Sequence, residues 1–143
     1  MFHVKHMDDN KIYKLLYKKA LKAYKIGEIP VSSIIIYNNK IIGIGYNNKE
    51  KNNNVLGHAE INAIIDASKK IKDWRLNDCT LITTLKPCNL CNQAIIDSRI
   101  NEVYFYLDQK DLKYKNNYKK IESDSIYLIK YKKLFNDFFI NLR

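Results

Sequence analysis

The sequence has few cysteines and no long hydrophobic stretch. Three cysteines are too few for a disulfide framework, and they fit a reducing compartment. The longest wholly apolar runs are a few residues, such as Ile34-Ile35-Ile36, and no N-terminal segment combines a long hydrophobic core with a small-residue cleavage site. We therefore expect a soluble, cytoplasmic protein. A chain of 143 residues can bury a sufficient core as one unit, so we expect a single domain over 1–143.

Acidic residues are scarce relative to basic ones. The chain has 25 Lys and Arg against 15 Asp and Glu, a formal net charge of +10. Residues 57–107 are neutral, whereas the segments on either side, 1–56 and 108–143, are basic. A polyanionic partner such as nucleic acid would explain this distribution, because Lys and Arg contact phosphates. The alternative is a composition rich in Lys and Asn of the kind that an A/T-rich genome encodes.

Hydrophobic periodicity predicts helices that alternate with strands, which indicates an α/β layered domain. The first predicted elements are an amphipathic helix over 8–25 that stops at Gly27, and a hairpin in which strands 31–37 and 40–46 flank a turn at Asn38-Asn39. The remaining ones are a helix over 57–70 that buries Ile61, Ile64 and Ile65, a strand at 79–84, a helix over 87–98 with Pro87 at its first position, a strand at 102–107, a short strand near 125–129 and a helix from about Lys130. Residues 1–6 are expected to form a disordered extension, with Met7 as an alternative start.

Two short motifs offer metal-binding chemistry. His58 and Glu60 stand at the start of the predicted second helix, and Cys88 and Cys91 have the i, i+3 spacing of one helical turn. Zinc takes imidazole nitrogen and thiolate sulfur in tetrahedral geometry, and catalytic zinc sites use three protein ligands and one water. His58, Cys88 and Cys91 supply three such ligands. The positive end of a helix favours the thiolate form that binds a metal.

The sequence offers no convincing fourth ligand, which indicates an open coordination sphere. Cys79 lies in an apolar strand pattern and is expected to be a core residue, while His3 and His6 lie in the N-terminal extension. An open zinc lowers the pKa of its water toward about 7, and Glu60 is placed to move protons between that water and a substrate. Two other interpretations of Cys-x-x-Cys are a thioredoxin-like redox pair, which leaves His58 unexplained, and a zinc ribbon, which needs a second cysteine pair.

His-x-Glu followed by Pro-Cys-x-x-Cys resembles the signature of the zinc-dependent cytidine and deoxycytidylate deaminase superfamily. Within that superfamily the chain looks most like the bacterial tRNA-specific adenosine deaminases. The similar segments are GEIPV at 27–31, GYN at 45–47, HAEINAI at 58–64, WRLNDCTLITTLKPCNLC at 74–91, SRINEVYF at 98–105 and LFNDFFINLR at 134–143. The resemblance implies a three-layer α/β/α sandwich with a central mixed sheet of about five strands. It also implies a homodimer that converts adenosine to inosine at the wobble position of a tRNA anticodon.

The resemblance also implies roles for individual residues. His58, Cys88 and Cys91 would hold zinc, and hydroxide would attack carbon 6 of adenine. Glu60 would be the proton shuttle, protonating the ring nitrogen and then the departing ammonia. The implied substrate contacts are Asn47, which matches a loop asparagine that touches the base, and Asp108, near the ribose.

The chain departs from this family at several positions. Lys86 stands where glutamate is usual, Ser32-Ser33 where Gly-Ala is usual, and Asn92-Gln93 where small residues follow the second cysteine on a helix used for subunit pairing. The segment after Phe105 is shorter and lacks the family's Gly-rich loop and Asn-His pair. Two alternatives stay open. One is a deaminase of a free nucleobase or nucleotide, of the cytosine, deoxycytidylate or guanine type, and the other is a catalytically silent, zinc-stabilised subunit that binds RNA.

Overall fold

The computed structural model describes residues 8–142, which form a five-stranded sheet with helices on both faces. In chain order the elements are α1 Asp9–Lys25, β1 Ser32–Tyr37, β2 Lys40–Tyr46, α2 Ala59–Ile71, β3 Thr80–Leu85, α3 Asn89–Asp97, β4 Glu102–Leu107, β5 Lys119–Lys120 and α4 Ile126–Asn141. The strand order is β2-β1-β3-β4-β5. Strand β1 pairs antiparallel with β2 and with β3, whereas β4 pairs parallel with β3 and with β5. The predicted disordered extension, with His3 and His6, lies outside the described residues. None of the helices in 8–142 has the length and apolarity needed to span a bilayer.

Two apolar clusters separate the molecule into three layers. Successive side chains of β1 alternate between the faces of the sheet, so that Ile34 and Ile36 join one cluster and Ile35 joins the other. The first cluster includes α1 and α4 through Ile12, Leu16 and Leu128, and the second includes α2 and α3 through Ala63, Ala67 and Ile95. The predicted three-layer α/β/α sandwich with a mixed sheet of five strands is confirmed.

The predicted end of the first helix and the predicted hairpin are both confirmed. Gly27 has a φ of 84°, and the N–H groups of Gly27 and Glu28 donate to the carbonyls of Tyr24 and Ala23. These two hydrogen bonds satisfy carbonyls that the end of α1 would otherwise leave open. Asn38 and Asn39 have φ values of 49° and 62°, as the tight turn between two antiparallel strands requires.

The buried face of α2 differs from the prediction. Ile65 is 47% exposed, and Ile61 and Ile64 are only partly buried. The residues that face the sheet are small: Ala59, Ala63 and Ala67, each 0% exposed. The prediction was wrong for Ile65 and correct only in part for Ile64, which packs against the core cluster of α2 and α3. It assigned the core face to the largest apolar side chains, whereas the residues closest to β2 are alanines.

Two glycines of β2 explain why the gap between α2 and the sheet is narrow. A Cβ atom added at Gly45 would lie 2.2 Å from the carbonyl oxygen of Ala59, and one added at Gly43 would lie 2.5 Å from that of Ala63. Both distances are far below van der Waals contact, so only glycine allows the helix backbone to approach β2 this closely. The beginning of α2 therefore lies directly on the strand.

The predicted position of Pro87 is wrong by two residues. Cys88 has extended backbone angles, φ −71° and ψ 176°, and serves as the N-cap of α3, which begins at Asn89. Pro87 therefore precedes the cap and does not occupy the first helical position. The predicted strand over 102–107 coincides with β4.

The predicted strand near 125–129 is also wrong, because α4 already begins there. The side chain of Ser125 accepts a hydrogen bond from the N–H of Tyr127 and caps the helix. Leu128, Tyr131 and Leu134 are buried at helical spacing, which places the apolar residues of this segment on one face of a helix. The last strand is instead the two-residue β5.

We predict that Gly45→Ala destabilises the fold by about 1–3 kcal/mol, the usual range for overpacking a close contact. The added methyl group collides with backbone atoms of α2, which cannot rotate away as a side chain can. Urea unfolding followed by circular dichroism measures the change. Lys40→Ala, at the exposed start of the same strand, is the control, and equal stability of both variants would contradict the explanation.

Candidate metal centre

The candidate site lies where α2 and α3 begin. His58 is the N-cap of α2 and Cys88 is the N-cap of α3, and neither side chain makes a capping hydrogen bond. Cys91 lies in the first turn of α3. The ligand atoms of His58, Cys88 and Cys91 all lie within 4.8 Å of one another, and the Nδ1 atom of His58 is 3.7 Å from the Sγ atom of Cys88. The structure thus brings together the three ligands that the sequence predicted.

One imidazole and two thiols at these distances form a donor set that suits a tetrahedral metal ion such as zinc. Within residues 8–142, no further His, Cys, Asp or Glu joins this group, so one coordination position stays available for water. Cys79 is 1% exposed and belongs to the core cluster of α2 and α3, in agreement with its predicted role. The group can therefore hold a metal ion with an open position.

The two cysteines differ in acidity. The pKa of Cys88 is lowered to about 4, mainly because its sulfur accepts hydrogen bonds from the Cys91 thiol and from His58. The pKa of Cys91 is raised, first by its hydrogen bond to Cys88 and then by burial. The pKa of His58 is also raised, chiefly by its hydrogen bond to Cys88. The Cys88 sulfur is therefore a thiolate that accepts hydrogen bonds from Cys91 and His58. A divalent cation bound here would displace the proton of Cys91.

Glu60 is a buried acid beside this centre. Its side chain is 4% exposed, and burial raises its pKa to about 7. The carboxyl group interacts with the thiol of Cys91 and with its own backbone N–H. A carboxyl group with a pKa near neutrality accepts and returns a proton readily at neutral pH, which is the property that a general acid–base residue needs.

Asn47 connects the loop after β2 to the start of α2. Its Oδ1 atom accepts a hydrogen bond of 2.8 Å from the N–H of Ala59, so Asn47 supplies the cap that His58 does not. Nearby, the Nδ2 atom of Asn62 donates to the carbonyl of Tyr46 and to the Oδ1 atom of Asn48. Asn47, the predicted base-contacting residue, is therefore fixed by a bond to the residue that follows His58.

Glu28 holds the same loop, and sequence reasoning gave it no role. It is 2% exposed, and its two carboxylate oxygens accept the N–H groups of Glu50 at 3.1 Å and Lys51 at 2.8 Å. These bonds fix the chain between Asn47 and His58. The available signal was an acidic residue inside the otherwise apolar and small segment 26–31, a position where burial requires hydrogen-bond partners.

Asp108 lies at the end of β4, and its carboxylate is 3.8 Å from the ammonium group of Lys86. The Lys86 ammonium group also lies 5.2 Å from the centre of the Phe105 ring. Asp108 is exposed and does not belong to the group of three ligands. Lys86 thus forms an ion pair with Asp108, the residue predicted to approach the ribose.

Comparison with known sequences gives consistent matches. A family model described as MafB19-like deaminase matches residues 7–143. The tRNA-specific adenosine deaminase of Buchnera aphidicola from Schizaphis graminum is 43% identical over 108 residues, which are 76% of this chain and 72% of that protein. The tRNA-specific adenosine deaminase of Bacillus subtilis is 36% identical over 100 residues, which are 69% of this chain and 62% of that protein.

Solved structures share the fold at low identity. One, from work on tRNA deaminases that edit A to I at the wobble position of transfer RNA, has a TM-score of 0.70 at 22% identity and covers 81% of this chain and 100% of its own. Guanine deaminase from Bacillus subtilis has a TM-score of 0.66 at 23% identity and covers 91% of this chain and 95% of its own. The same fold therefore accommodates different deaminases.

We predict that iodoacetamide at pH 6 modifies Cys88 in the metal-free protein at least about tenfold faster than Cys79 or Cys91, because only thiolates react. At pH 6 Cys88, with a pKa of about 4, is ionised, whereas Cys79, with a pKa of about 11, is not. Peptide mass spectrometry measures each rate. Bound zinc should protect Cys88, and equal labelling of Cys88 and Cys91 would contradict the proton arrangement.

Proposed function

The chain belongs to the MafB19-like deaminase family, and on that basis we propose that it deaminates adenosine to inosine at the wobble position of a tRNA anticodon. The observation that carries the proposal is the convergence of His58, Cys88 and Cys91 beside the buried carboxyl group of Glu60. The names of the curated relatives support the choice of tRNA adenosine as substrate. The enzyme is thus a hydrolase, and zinc is the proposed cofactor.

The reaction adds water to carbon 6 of adenine and releases ammonia. His58, Cys88 and Cys91 would hold the zinc, which, when bound, supplies a water whose pKa is lowered toward about 7. Glu60 takes a proton from the attacking water and delivers it to the adjacent ring nitrogen. Glu60 then takes the remaining proton from the hydroxyl group on carbon 6 and transfers it to the departing amine, so that the carbonyl of inosine forms as ammonia leaves. Its pKa of about 7 suits both directions of transfer, because neither protonation state is strongly favoured.

Two residues are proposed to bind the substrate. The Oδ1 atom of Asn47 is occupied by the N–H of Ala59, so its amide nitrogen is the group available to donate to the adenine ring. Asp108 is proposed to approach the ribose, and Lys86, 3.8 Å away, orients it in the free enzyme. The Asp108 side chain is exposed and the Lys86 side chain is partly exposed; a long ion pair of this kind contributes little stability, so it can open when RNA binds.

The basic segments on either side of the site favour a tRNA substrate over a free nucleobase. Residues 1–56 and 108–143 carry the excess positive charge of the chain, and a polynucleotide makes many phosphate contacts that a single base cannot make. We further propose that residues 1–143 form one deaminase domain and that the enzyme acts in the cytoplasm, where tRNA is available.

We predict that Glu60→Gln lowers the rate of inosine formation by a factor of about 100 or more, the usual contribution of a general acid–base group. The amide is close in shape to the carboxyl group but cannot transfer the proton. Sequencing of an unmodified tRNA pool after incubation measures A-to-I change at the wobble position. Glu122→Gln, which alters an exposed acid, is the control.

The same assay separates the proposed function from its alternatives. Turnover of free cytidine, deoxycytidylate or guanine without editing of tRNA would replace tRNA with a free nucleobase or nucleotide as the substrate. Binding of zinc and RNA by the wild-type protein with no deamination would identify a silent subunit. Unchanged editing by Glu60→Gln at full zinc occupancy would remove Glu60 from the mechanism.

We also propose that the enzyme is a homodimer that pairs through α2 and α3. Supporting this, Ile65 on α2 and Leu90 and Ile96 on α3 are 47%, 41% and 49% exposed, although they are large apolar residues. Apolar side chains of this size on neighbouring helices are typical of surfaces that another protein covers.

We predict that Ile65→Glu and Ile96→Glu shift the enzyme from twice the subunit mass to the subunit mass, because a carboxylate is costly to bury between two copies. Sedimentation velocity measures the mass. Ile140→Glu, on the exposed side of α4, is the control and should leave the mass unchanged. A monomeric wild-type protein at assay concentrations would contradict the proposal.

A further inference from the structure

Residues 109–118, here called the strap, connect β4 to β5 and cover the beginning of α3. The strap contains no helix or strand. The hydroxyl of Tyr114 donates a hydrogen bond to the carbonyl of Pro87 at 2.5 Å, and the N–H of Lys113 donates to the Oδ1 atom of Asn89 at 2.7 Å. The strap is therefore attached to the turn that carries the first cysteine ligand.

Asn92 provides a further attachment on the other side of that turn. Its side chain is buried, with 6% exposure, and its Oδ1 atom accepts hydrogen bonds from the Nδ2 atom of Asn116 at 2.6 Å and from the hydroxyl of Tyr118 at 2.5 Å. The rings of Tyr118 and Tyr114 contact each other, with centroids 5.8 Å apart. The strap thus holds α3 through several polar bonds that support one another.

The residues that the strap holds alternate with the metal ligands along the chain. Pro87, Asn89 and Asn92 are attached to the strap, and Cys88 and Cys91 lie between them. A shift of the strap would therefore move both sulfurs.

A purely structural role does not explain the choice of Asn92. A buried amide must have hydrogen-bond partners, whereas an apolar side chain at this position would need none and would pack against the same core. Asn92 directly follows a cysteine ligand, so its bonds fix the orientation of the helical turn that carries Cys91. Removal of a group that orients a metal ligand in this way commonly lowers the affinity for the metal by a factor of about 10–100.

We propose that the strap holds residues 87–92 in the geometry that binds the metal, with Tyr114 and Asn92 as positioning residues. Neither residue contacts the substrate in this proposal; each acts through Cys88 and Cys91. The proposal rests on the proposed function in so far as zinc is the metal.

The test measures how fast zinc leaves the protein. Tyr114→Phe removes only the hydroxyl that donates to Pro87, and Asn92→Leu removes the acceptor of two hydrogen bonds. We expect a chromogenic chelator to strip zinc from each variant about 10–100 times faster than from the wild-type protein. Gln93→Ala is the matched control, since Gln93 is the next residue of α3, is exposed and bonds only to Asp97 of the same helix among its described contacts; its release rate should stay within about twofold.

A spectroscopic measurement separates positioning from a general loss of stability. Cobalt(II) in place of zinc gives absorption bands that depend on the angles between the two thiolates, so Tyr114→Phe and Asn92→Leu should shift these bands while Gln93→Ala should not. Melting temperatures of the metal-free proteins show whether a variant folds. If Asn92→Leu fails to fold, the milder Tyr114→Phe still decides the question.

A double-mutant cycle tests whether Asn92 acts through the strap. If it does, Asn92→Leu and Tyr118→Phe should accelerate zinc release by less together than the product of their separate effects, because both remove the same bond. Multiplicative effects would overturn the proposal, as would wild-type release rates and cobalt bands in Tyr114→Phe and Asn92→Leu. A wild-type protein that holds no zinc would instead overturn the proposed function.

Discussion

The close contact between the backbones of β2 and α2 determines where the chemistry takes place. Gly43 and Gly45 let the alanines of α2 lie directly on the strand, and this contact fixes the distance between the sheet and the first turn of α2. His58 and Glu60 stand at the beginning of α2, so their distance from the cysteines of α3 depends on this contact. A wider gap, filled by larger side chains, would separate the imidazole from the two sulfurs.

The charges in the centre explain why a cation belongs there. Glu60, Cys88 and Cys91 are three acidic groups close together, with the basic group of His58 beside them. The pKa of Glu60 is raised mainly by burial and that of Cys91 mainly by its hydrogen bond to Cys88, whereas the pKa of Cys88 is lowered because its sulfur accepts hydrogen bonds from Cys91 and His58. The N-termini of two helices add favourable but partial positive charge. A divalent ion held by His58, Cys88 and Cys91 would neutralise both thiolates and would leave the carboxyl group of Glu60 able to exchange protons.

The sequence predicted those features that depend on local patterns. The ends of α1, the turn at Asn38-Asn39 and the convergence of the His and Cys motifs all follow from short signals, although the catalytic and ligand roles stay predictions. Prediction from the sequence failed for features that depend on residues far away in the chain. The exposure of Ile65 depends on glycines of another element, and the partners of Asn92 lie 24 and 26 residues along the chain. Buried Ser32 and Ser33, unusual for the family, likewise bond to the Leu16 carbonyl and the Thr83 hydroxyl, which no local pattern indicates.

The way Glu28 holds the loop between Asn47 and His58 has a consequence for the redesign of the enzyme. Among residues 8–142, the hydrogen bonds of its carboxylate go to the main chain of Glu50 and Lys51, whose side chains are exposed. A mutant library confined to residues 50 and 51 would vary these side chains while the main-chain hydrogen bonds that hold the loop are kept.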